Sequence, residues 1–386
     1  MSSNDAVIVS AVRTPVGIGK PQKGVLSGIH PVDLSATVLA ALTQRAGVDP
    51  ALVDDVIWGC ASQVGEQGGN VARNSVLAAG FPEDVTGVSI DRQCGSSQQA
   101  VTFAAAGVIA GHYDIVIAGG VESMSRVPMF SSMVGGDGPY PASMHERYDN
   151  GLVPQGISAE MIAAKWKLSR TYLDDLAATS QQRAAAAQDA GLFDAEIVAV
   201  QTAEGIVTAD QGIRPDTTVD SLSTLKTPFQ DDGVVTAGNA SQISDGSAAL
   251  LIMSSARAAE LGLTPLARIH SVALAGVDPI YMLTGPIPAT ARVLKKSGLD
   301  LADIGAFEVN EAFASVLGAW FAETGADPRL TNINGGAIAL GHPLGASGAR
   351  LMTTLVHQMR RSGAKYGLQT MCEGGGMANA TILELL

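Results

Sequence analysis

Two stretches of the sequence resemble each other at a constant separation of 251 residues, and this repeat limits the possible folds more than any other feature. Gly47 and Gly298 occupy similar four-residue segments, and each is followed by a short apolar run typical of a buried strand. At the same separation, Cys-Gly-Ser-Ser at 94–97 aligns with Gly-Ala-Ser-Gly at 345–348. Any two strand–helix units share some pattern, but the unchanged separation favours duplication of one α/β unit of about 120 residues.

Strand and helix patterns alternate in the first copy. Helical periodicity runs over 32–46 and ends at Gly47, a residue type common at helix C-termini, and a second helix is predicted over 100–110. Short apolar strands are predicted at 7–12, 55–59, 114–118 and, after a long gap, 248–253. The Gly-Gly pair at 119–120 is expected to stop the third of these strands. The alternation predicts a parallel or mixed α/β sheet with helices on both faces.

The segment between the strands predicted at 114–118 and 248–253 differs in composition and periodicity from the rest of the chain. It contains Gly- and Pro-rich turns and two predicted helices, over 158–166 and 172–190. We predict an inserted loop domain, 123–244, that covers a site and contributes subunit contacts. The first half of the fold is then discontinuous, 1–122 with 245–266, and the second half is 267–386.

Charge and hydropathy exclude several classes of protein. The formal net charge of −13 argues against a nucleic-acid partner, because phosphate backbones are bound by basic surfaces. No apolar run reaches the ~18 residues that a membrane span needs. The start of the chain lacks the basic and apolar segments of a signal peptide, which predicts a cytoplasmic protein.

Three widely spaced cysteines, without a CxxC pair or zinc-ligand spacing, predict neither disulfides nor a metal site. Cys94 lies between a predicted strand and a predicted helix, near a helix N-terminus of the kind that lowers thiol pKa values. Cys372 follows a strand predicted over 367–371 and opens a Gly-Gly-Gly turn at 374–376, whose backbone N–H groups can converge on a ligand. Each is either a reactive thiol or a small buried side chain, and Cys60 is expected to be structural.

Two further polar residues lie on predicted turns at strand ends. His342 is held between Gly341 and Pro343, and a rigid loop of this kind favours a general base over a solvated histidine. Asn310 ends a strand over 307–309 and begins a helix, so it is either a ligand contact or a capping residue. Because open α/β sheets bind ligands at the carboxyl ends of strands, a site between two halves would combine turns from both.

Four of these loops together resemble the signature loops of the thiolase family. They are Cys-Gly-Ser at 94–96, Asn-Glu-Ala-Phe at 310–313, Gly-His-Pro at 341–343 and Cys-Glu-Gly-Gly-Gly at 372–376. Further matches stand at 12–15, 122–125 and 238–246, so the resemblance covers essentially the whole chain. It implies the α/β thiolase fold, in which two βαβαβαββ halves form a five-layer α-β-α-β-α sandwich with an inserted loop domain.

The resemblance also implies roles for individual residues. Cys94 is the nucleophile, His342 is its base, and Cys372 is the acid and base at the acetyl carbon. Asn310 holds a water that completes one oxyanion site, and the backbone N–H groups of Cys94 and Gly374 form another. The implied contacts to coenzyme A are Arg214, Ser221, Phe229, Ala237, Ser241, Ala312 and Phe313. Coenzyme A is a substrate rather than a permanently bound cofactor, no metal is required, and the implied assembly is a homodimer or homotetramer.

The implied reaction is thiolytic cleavage of a 3-ketoacyl-CoA to acetyl-CoA and a shortened acyl-CoA. The alternatives are an acetyl-CoA C-acetyltransferase specific for acetoacetyl-CoA and a thiolase for steroid-derived substrates. Pro-Gln at 154–155 replaces the His-Met pair of biosynthetic family members, which favours a degradative enzyme, while Ser97 and Ala378 stand where glycine is usual. Cys372 argues against the related ketosynthases, which lack a second catalytic cysteine. A non-catalytic binding module would tolerate alanine at both Cys94 and Cys372.

Overall fold

The computed structural model describes residues 4–148 and 152–386; residues 1–3 of the polar start and 149–151 of the predicted insert lie outside the described residues. The strands are β1 Ala6–Arg13, β2 Gly17–Ile18, β3 Asp55–Gly59, β4 Thr86–Ile90, β5 Ile115–Ser123, β6 Val200–Thr202, β7 Gly205–Val207, β8 Ser244–Ser254, β9 Ala267–Gly276, β10 Ile304–Val309, β11 Tyr366–Glu373 and β12 Met377–Leu385. The helices are α1 Pro31–Ala46, α2 Val71–Ala78, α3 Ser96–Ile109, α4 Ala142–Arg147, α5 Gln155–Lys165, α6 Arg170–Asp189, α7 Val219–Ser223, α8 Ser255–Glu260, α9 Pro286–Ser297, α10 Ala314–Thr324, α11 Ala337–Leu340 and α12 Leu344–Ser362. Among the helices of these two ranges, none is long and apolar enough to cross a membrane.

The two halves form the five layers that the family resemblance implies. The strands of the first half run in the order β4-β3-β5-β8-β1, and those of the second half in the order β10-β11-β12-β9. Helices α3 and α12 pack together between the two sets of strands, while α1 and α2 cover one outer face and α9 and α10 cover the other. The equivalent strands β5 and β11 begin at Ile115 and Tyr366, so the structure keeps the separation of 251 residues.

One pairing joins the two halves into a continuous sheet. Strand β1 pairs with β8 along its length and also meets β9 at Val7–Arg268 and Ile8–Ala267. The repeat alone does not predict this contact, because it relates equivalent strands and does not say which strands of different halves are neighbours.

The second half departs from the repeat at its third strand. Where the first half has β4 beside β3, the second half has a single parallel bridge beside β10, between Phe307 and Thr331. Asn332 has a left-handed φ of 47° and turns the chain away. Its side-chain amide accepts a hydrogen bond from the backbone N–H of Val309 and donates one to the Val309 carbonyl, both at 2.8 Å. The Asn332 side chain therefore makes the two hydrogen bonds to Val309 that the backbone of a neighbouring strand would make.

The prediction that the Gly-Gly pair at 119–120 ends a strand is wrong, because β5 continues to Ser123. Close packing, rather than a turn, requires glycine at both positions. A Cβ on Gly119 would lie 2.4 Å from the ring of Trp58, and one on Gly120 would lie 2.2 Å from the carbonyl oxygen of Gly345.

The two strands described between Ser123 and Ser244, β6 and β7, form a separate two-stranded sheet, and β8 then pairs with β5 and β1. The segment that connects β5 to β8 is anchored on the first strand by a buried ionic cluster. Arg13 donates to Glu196 at 2.7 Å and to the two carboxylate oxygens of Asp210 at 2.7 and 2.9 Å, and all three side chains are buried. The assignment of 123–244 as an inserted domain, with the other boundary at 266/267, remains our proposal.

We expect Gly348→Ala to lower the free energy of unfolding by about 2 kcal/mol or more. An added Cβ would lie 2.2 Å from the backbone nitrogen of Gln98 and push α3 and α12 apart. Urea unfolding followed by circular dichroism measures the change. Gly28→Ala is the matched control, since nothing lies within 4 Å of a Cβ at that position. Equal unfolding free energies for the two variants would contradict the packing argument.

Candidate active site

The fold places the four predicted catalytic side chains on neighbouring elements. Cys94 and His342 each lie two residues before a central helix, α3 or α12. Asn310 directly follows β10, and its backbone N–H donates to the carbonyl of Thr370 in β11 at 3.0 Å. Asn310 therefore lies beside the end of the strand that carries Cys372. The packing of α3 on α12 places the loop of Cys94 beside that of His342. The pairing of β10 with β11 places Asn310 beside the strand of Cys372.

Cys94 is a buried thiol whose pKa is raised to about 12 by burial and by the negative charge of Glu373. The prediction that a helix N-terminus lowers this pKa is wrong in its net direction. Helix α3 begins only after Gly95, its N-cap, and burial outweighs the nearby N–H groups. The backbone N–H groups of Cys94 and Gly374 do reach the sulfur and act in the opposite direction. Two N–H groups on one side of a nucleophile can stabilise an oxyanion formed there.

Cys372 lies inside a strand rather than after it, because β11 extends to Glu373. Burial and, secondarily, negative charge at Cys94 raise the pKa of its thiol, so both thiols carry their protons at neutral pH. The turn from β11 to β12 follows at once, with φ of 81° at both Gly375 and Gly376. Since a left-handed φ favours glycine, this turn accounts for the end of the glycine run.

His342 is a buried neutral imidazole whose free nitrogen can be assigned. Burial, followed by the positive charge of Arg350, lowers its pKa to about 3. The hydroxyl of Ser347 donates to the Pro343 carbonyl at 2.8 Å and lies 2.6 Å from His342 Nδ1, so it accepts a hydrogen bond from Nδ1–H. The lone pair is then on Nε2, which lies 3.4 Å from the side-chain nitrogen of Asn310. This nitrogen can accept a proton.

No motif in the sequence points to Ser347, which orients His342, although its place in the repeat does. Ser347 is equivalent to Ser96, and Ser96 fixes the other loop in the same way. Its hydroxyl accepts from the backbone N–H of Arg92 at 2.9 Å and donates to the Gln93 carbonyl at 2.6 Å. Each half therefore uses a serine at the start of its central helix to hold the loop that precedes it.

A cavity of about 510 Å³ opens beside His342. Six of the seven residues predicted to contact coenzyme A line this cavity: Arg214, Phe229, Ala237, Ser241, Ala312 and Phe313. Ser221 is not among the lining residues; it is exposed on α7, where its hydroxyl donates to the Thr218 carbonyl at 2.8 Å. Lys20 and Lys23 also line the cavity, and sequence analysis missed them although they closely follow the motif at 12–15.

Two segments that are distant in sequence form one wall of the cavity. The backbone N–H of Ser241 donates to the Ala312 carbonyl at 2.9 Å, and Ala240 forms an isolated antiparallel bridge with Phe313. The ring of Phe229 meets that of Phe313 edge-on, with 6.1 Å between the centroids. Within residues 4–148 and 152–386, no group of three or more His, Cys, Asp or Glu side chains is placed to hold a metal ion.

We expect Glu373→Gln to make Cys94 more reactive, because it removes a negative charge that opposes thiolate formation. Burial raises the pKa of Glu373 itself to about 8, so the carboxylate is charged in the wild type above that pH. At about pH 9, the alkylation rate of Cys94 by iodoacetamide should rise roughly tenfold, measured by peptide mass spectrometry.

Glu204→Gln, on an exposed turn, serves as the control for a lost charge. An unchanged rate for Glu373→Gln would show that this carboxylate does not govern the thiol.

Both the sequence and the fold are similar to those of known proteins. Family models described as "Thiolase, N-terminal domain" and "Thiolase, C-terminal domain" match residues 6–256 and 263–385. The chain is 49% identical to a steroid 3-ketoacyl-CoA thiolase of Mycobacterium tuberculosis, over 99% of this chain and 94% of that protein. It is 43% identical to a 3-ketoacyl-CoA thiolase of Bacillus subtilis, over 99% of each. The crystal structure of the Bacillus anthracis acetyl-CoA acetyltransferase is similar with a TM-score of 0.90, at 38% identity and over 99% of both chains. The chain therefore belongs to the thiolase family.

Proposed function

We propose that the protein is an acyltransferase that cleaves 3-ketoacyl-CoA esters with coenzyme A, giving acetyl-CoA and an acyl-CoA shortened by two carbons. The observation that carries the proposal is a pair of buried thiols, Cys94 and Cys372, on segments that touch, because a Cβ on Gly95 would clash with the carboxylate of Glu373. Relatives named as 3-ketoacyl-CoA thiolases, at 43% and 49% identity, support the substrate class and do not favour a restriction to acetoacetyl-CoA. We further propose a cytoplasmic homodimer or homotetramer that uses coenzyme A as substrate and has no permanently bound cofactor.

In the first half-reaction, Nε2 of His342 takes the proton of the Cys94 thiol while the sulfur attacks the 3-keto carbon. The oxyanion forms beside the backbone N–H groups of Cys94 and Gly374. The bond between carbons 2 and 3 then breaks, and its electron pair leaves as the enolate of acetyl-CoA. The neutral Cys372 thiol supplies the proton that this enolate needs, which leaves an acyl thioester on Cys94 and a thiolate at Cys372.

The second half-reaction restores every proton. The Cys372 thiolate accepts the proton of the incoming coenzyme A thiol, whose sulfur attacks the acyl thioester. When the tetrahedral intermediate collapses, Cys94 leaves as a thiolate and recovers its proton from the imidazolium of His342. Asn310, beside Nε2, would hold the water that completes the oxyanion site for the enolate oxygen. Each preorganised hydrogen-bond donor of an oxyanion site commonly lowers the activation free energy by about 3–4 kcal/mol.

We expect Cys94→Ala to reduce thiolysis by more than about 10³-fold with the fold intact, because no nucleophile remains. Purified wild type should convert a 3-ketoacyl-CoA plus coenzyme A to acetyl-CoA, and a panel of short, medium, long and steroid-derived substrates defines its acyl range. With acyl-CoA alone, mass spectrometry should find an acyl group on Cys94.

Cys60→Ala is the matched control, since Cys60 is a buried core residue beside Glu122. An acyl adduct found only on Cys60, or full activity of Cys94→Ala, would be incompatible with the proposed mechanism.

We expect Cys372→Ser to separate acylation from proton transfer. A hydroxyl has a much higher pKa than a thiol, so the variant should still become acylated at Cys94 but fail to exchange the α-protons of acetyl-CoA with deuterated water. His342→Ala should slow acylation as well, because His342 serves the nucleophile. NMR of acetyl-CoA in deuterated water measures exchange. Exchange at the wild-type rate in Cys372→Ser would require the acid and base to lie elsewhere, with His342 the next candidate.

A further inference from the structure

We propose that Lys20 and Lys23, together with Arg214, form a cationic mouth of the cavity that recognises the phosphate groups of coenzyme A. This inference rests on the proposed function and names the part of the substrate that these lysines bind. All three side chains line the cavity, and all three are exposed. Among the described residues that line it, no acidic side chain is present.

One glutamine holds the loop that carries the lysines next to the segment that carries Arg214. The side-chain oxygen of Gln211 accepts hydrogen bonds from the backbone N–H groups of Ile18 at 3.0 Å and Val25 at 2.9 Å. Its side-chain nitrogen donates to the carbonyl of Lys23 at 3.0 Å. The three cations therefore belong to one mouth whose backbone is fixed, while their side chains extend into solvent.

The inner and outer ends of the cavity differ in chemistry in the same way as the two ends of a coenzyme A thioester. Its inner part reaches buried His342, which requires the thioester end of the ligand, and its exposed part carries only positive charge. A molecule with its reactive sulfur at one end and its phosphates at the other fits in a single orientation.

The charge of the whole protein makes local cations necessary. With a net charge of −13, the overall field does not attract an anionic substrate. Lysine serves as a compact point charge for phosphate groups. A carboxylate at the end of an acyl chain offers similar chemistry, but phosphates are common to every coenzyme A substrate, and we therefore assign the lysines to the phosphates.

The test is a titration of the double variant Lys20→Gln/Lys23→Gln with coenzyme A, dephospho-coenzyme A and pantetheine. The Kd for coenzyme A should rise about tenfold, because two exposed ion pairs each contribute a several-fold factor. Dephospho-coenzyme A should lose less affinity, and pantetheine should bind both proteins equally. The difference should shrink as salt screens the charges. In thiolysis, KM for coenzyme A should rise while kcat stays unchanged.

The control is the double variant Lys295→Gln/Lys365→Gln, which removes two exposed lysines that do not line the cavity. An unchanged Kd for coenzyme A in Lys20→Gln/Lys23→Gln would overturn the proposal. A loss confined to substrates with a carboxylate on the acyl chain would also overturn it and assign the lysines to that group. A wild type without thiolysis, whose coenzyme A binding still depends on both lysines, would refute the proposed function but not this inference.

Discussion

The closeness of helices α3 and α12 determines where the chemistry can take place. The two helices touch through backbone atoms, because a Cβ on Gly348 of α12 would lie 2.2 Å from the nitrogen of Gln98 in α3. Strand β3 touches the start of both helices, because a Cβ on Gly59 would lie 2.4 Å from the nitrogen of Ser97 and 2.8 Å from the carbonyl oxygen of Gly345. The hydroxyl of Ser97, which departs from the family's usual glycine, accepts from the backbone N–H of Ala349 at 2.9 Å and fixes the register. Because Cys94 and His342 each stand two residues before one of these helices, the helix contact sets the positions of both loops.

The side chains of Cys94, Cys372 and His342 are all neutral in the resting site, and this follows from the cost of removing ions from water. Two equivalent glutamates, 251 residues apart, illustrate the rule. Glu122 accepts hydrogen bonds from the backbone N–H groups of Ala61, Ser62 and Gly345 and from the side chain of Gln67. Glu373 finds no hydrogen-bond partner within the described residues, and burial raises its pKa to about 8. In the mechanism we propose, proton transfers among neutral thiols and a neutral imidazole create charge only when a substrate is present to share it.

Patterns local to the sequence predicted the two halves, the helix ending at Gly47 and the loops that carry the candidate site. Contacts between distant segments determine where strands end, which strand is missing and which way a pKa shifts. Gly119 remains in a strand because it faces Trp58, and Asn332 replaces a strand because its amide reaches Val309. The upward shift of the Cys94 pKa depends on burial and on the charge of Glu373, which lies far along the chain. None of these contacts leaves a periodic signal in the sequence.

The same close packing explains why a duplicated fold has an asymmetric site. The repeat places Gly345 at the position equivalent to Cys94, so duplication offers two places for a nucleophile. Only one can hold a side chain, because a Cβ on Gly345 would lie 2.5 Å from the carbonyl oxygen of Val121 and 2.6 Å from the Cα of Cys60. A second thiol must come from a different element, and it stands at Cys372, the position equivalent to Val121 in β5. Packing of the first half against the second thus leaves room for one thiol at the helices, and in the mechanism we propose the thiol at the strand end is the acid and base.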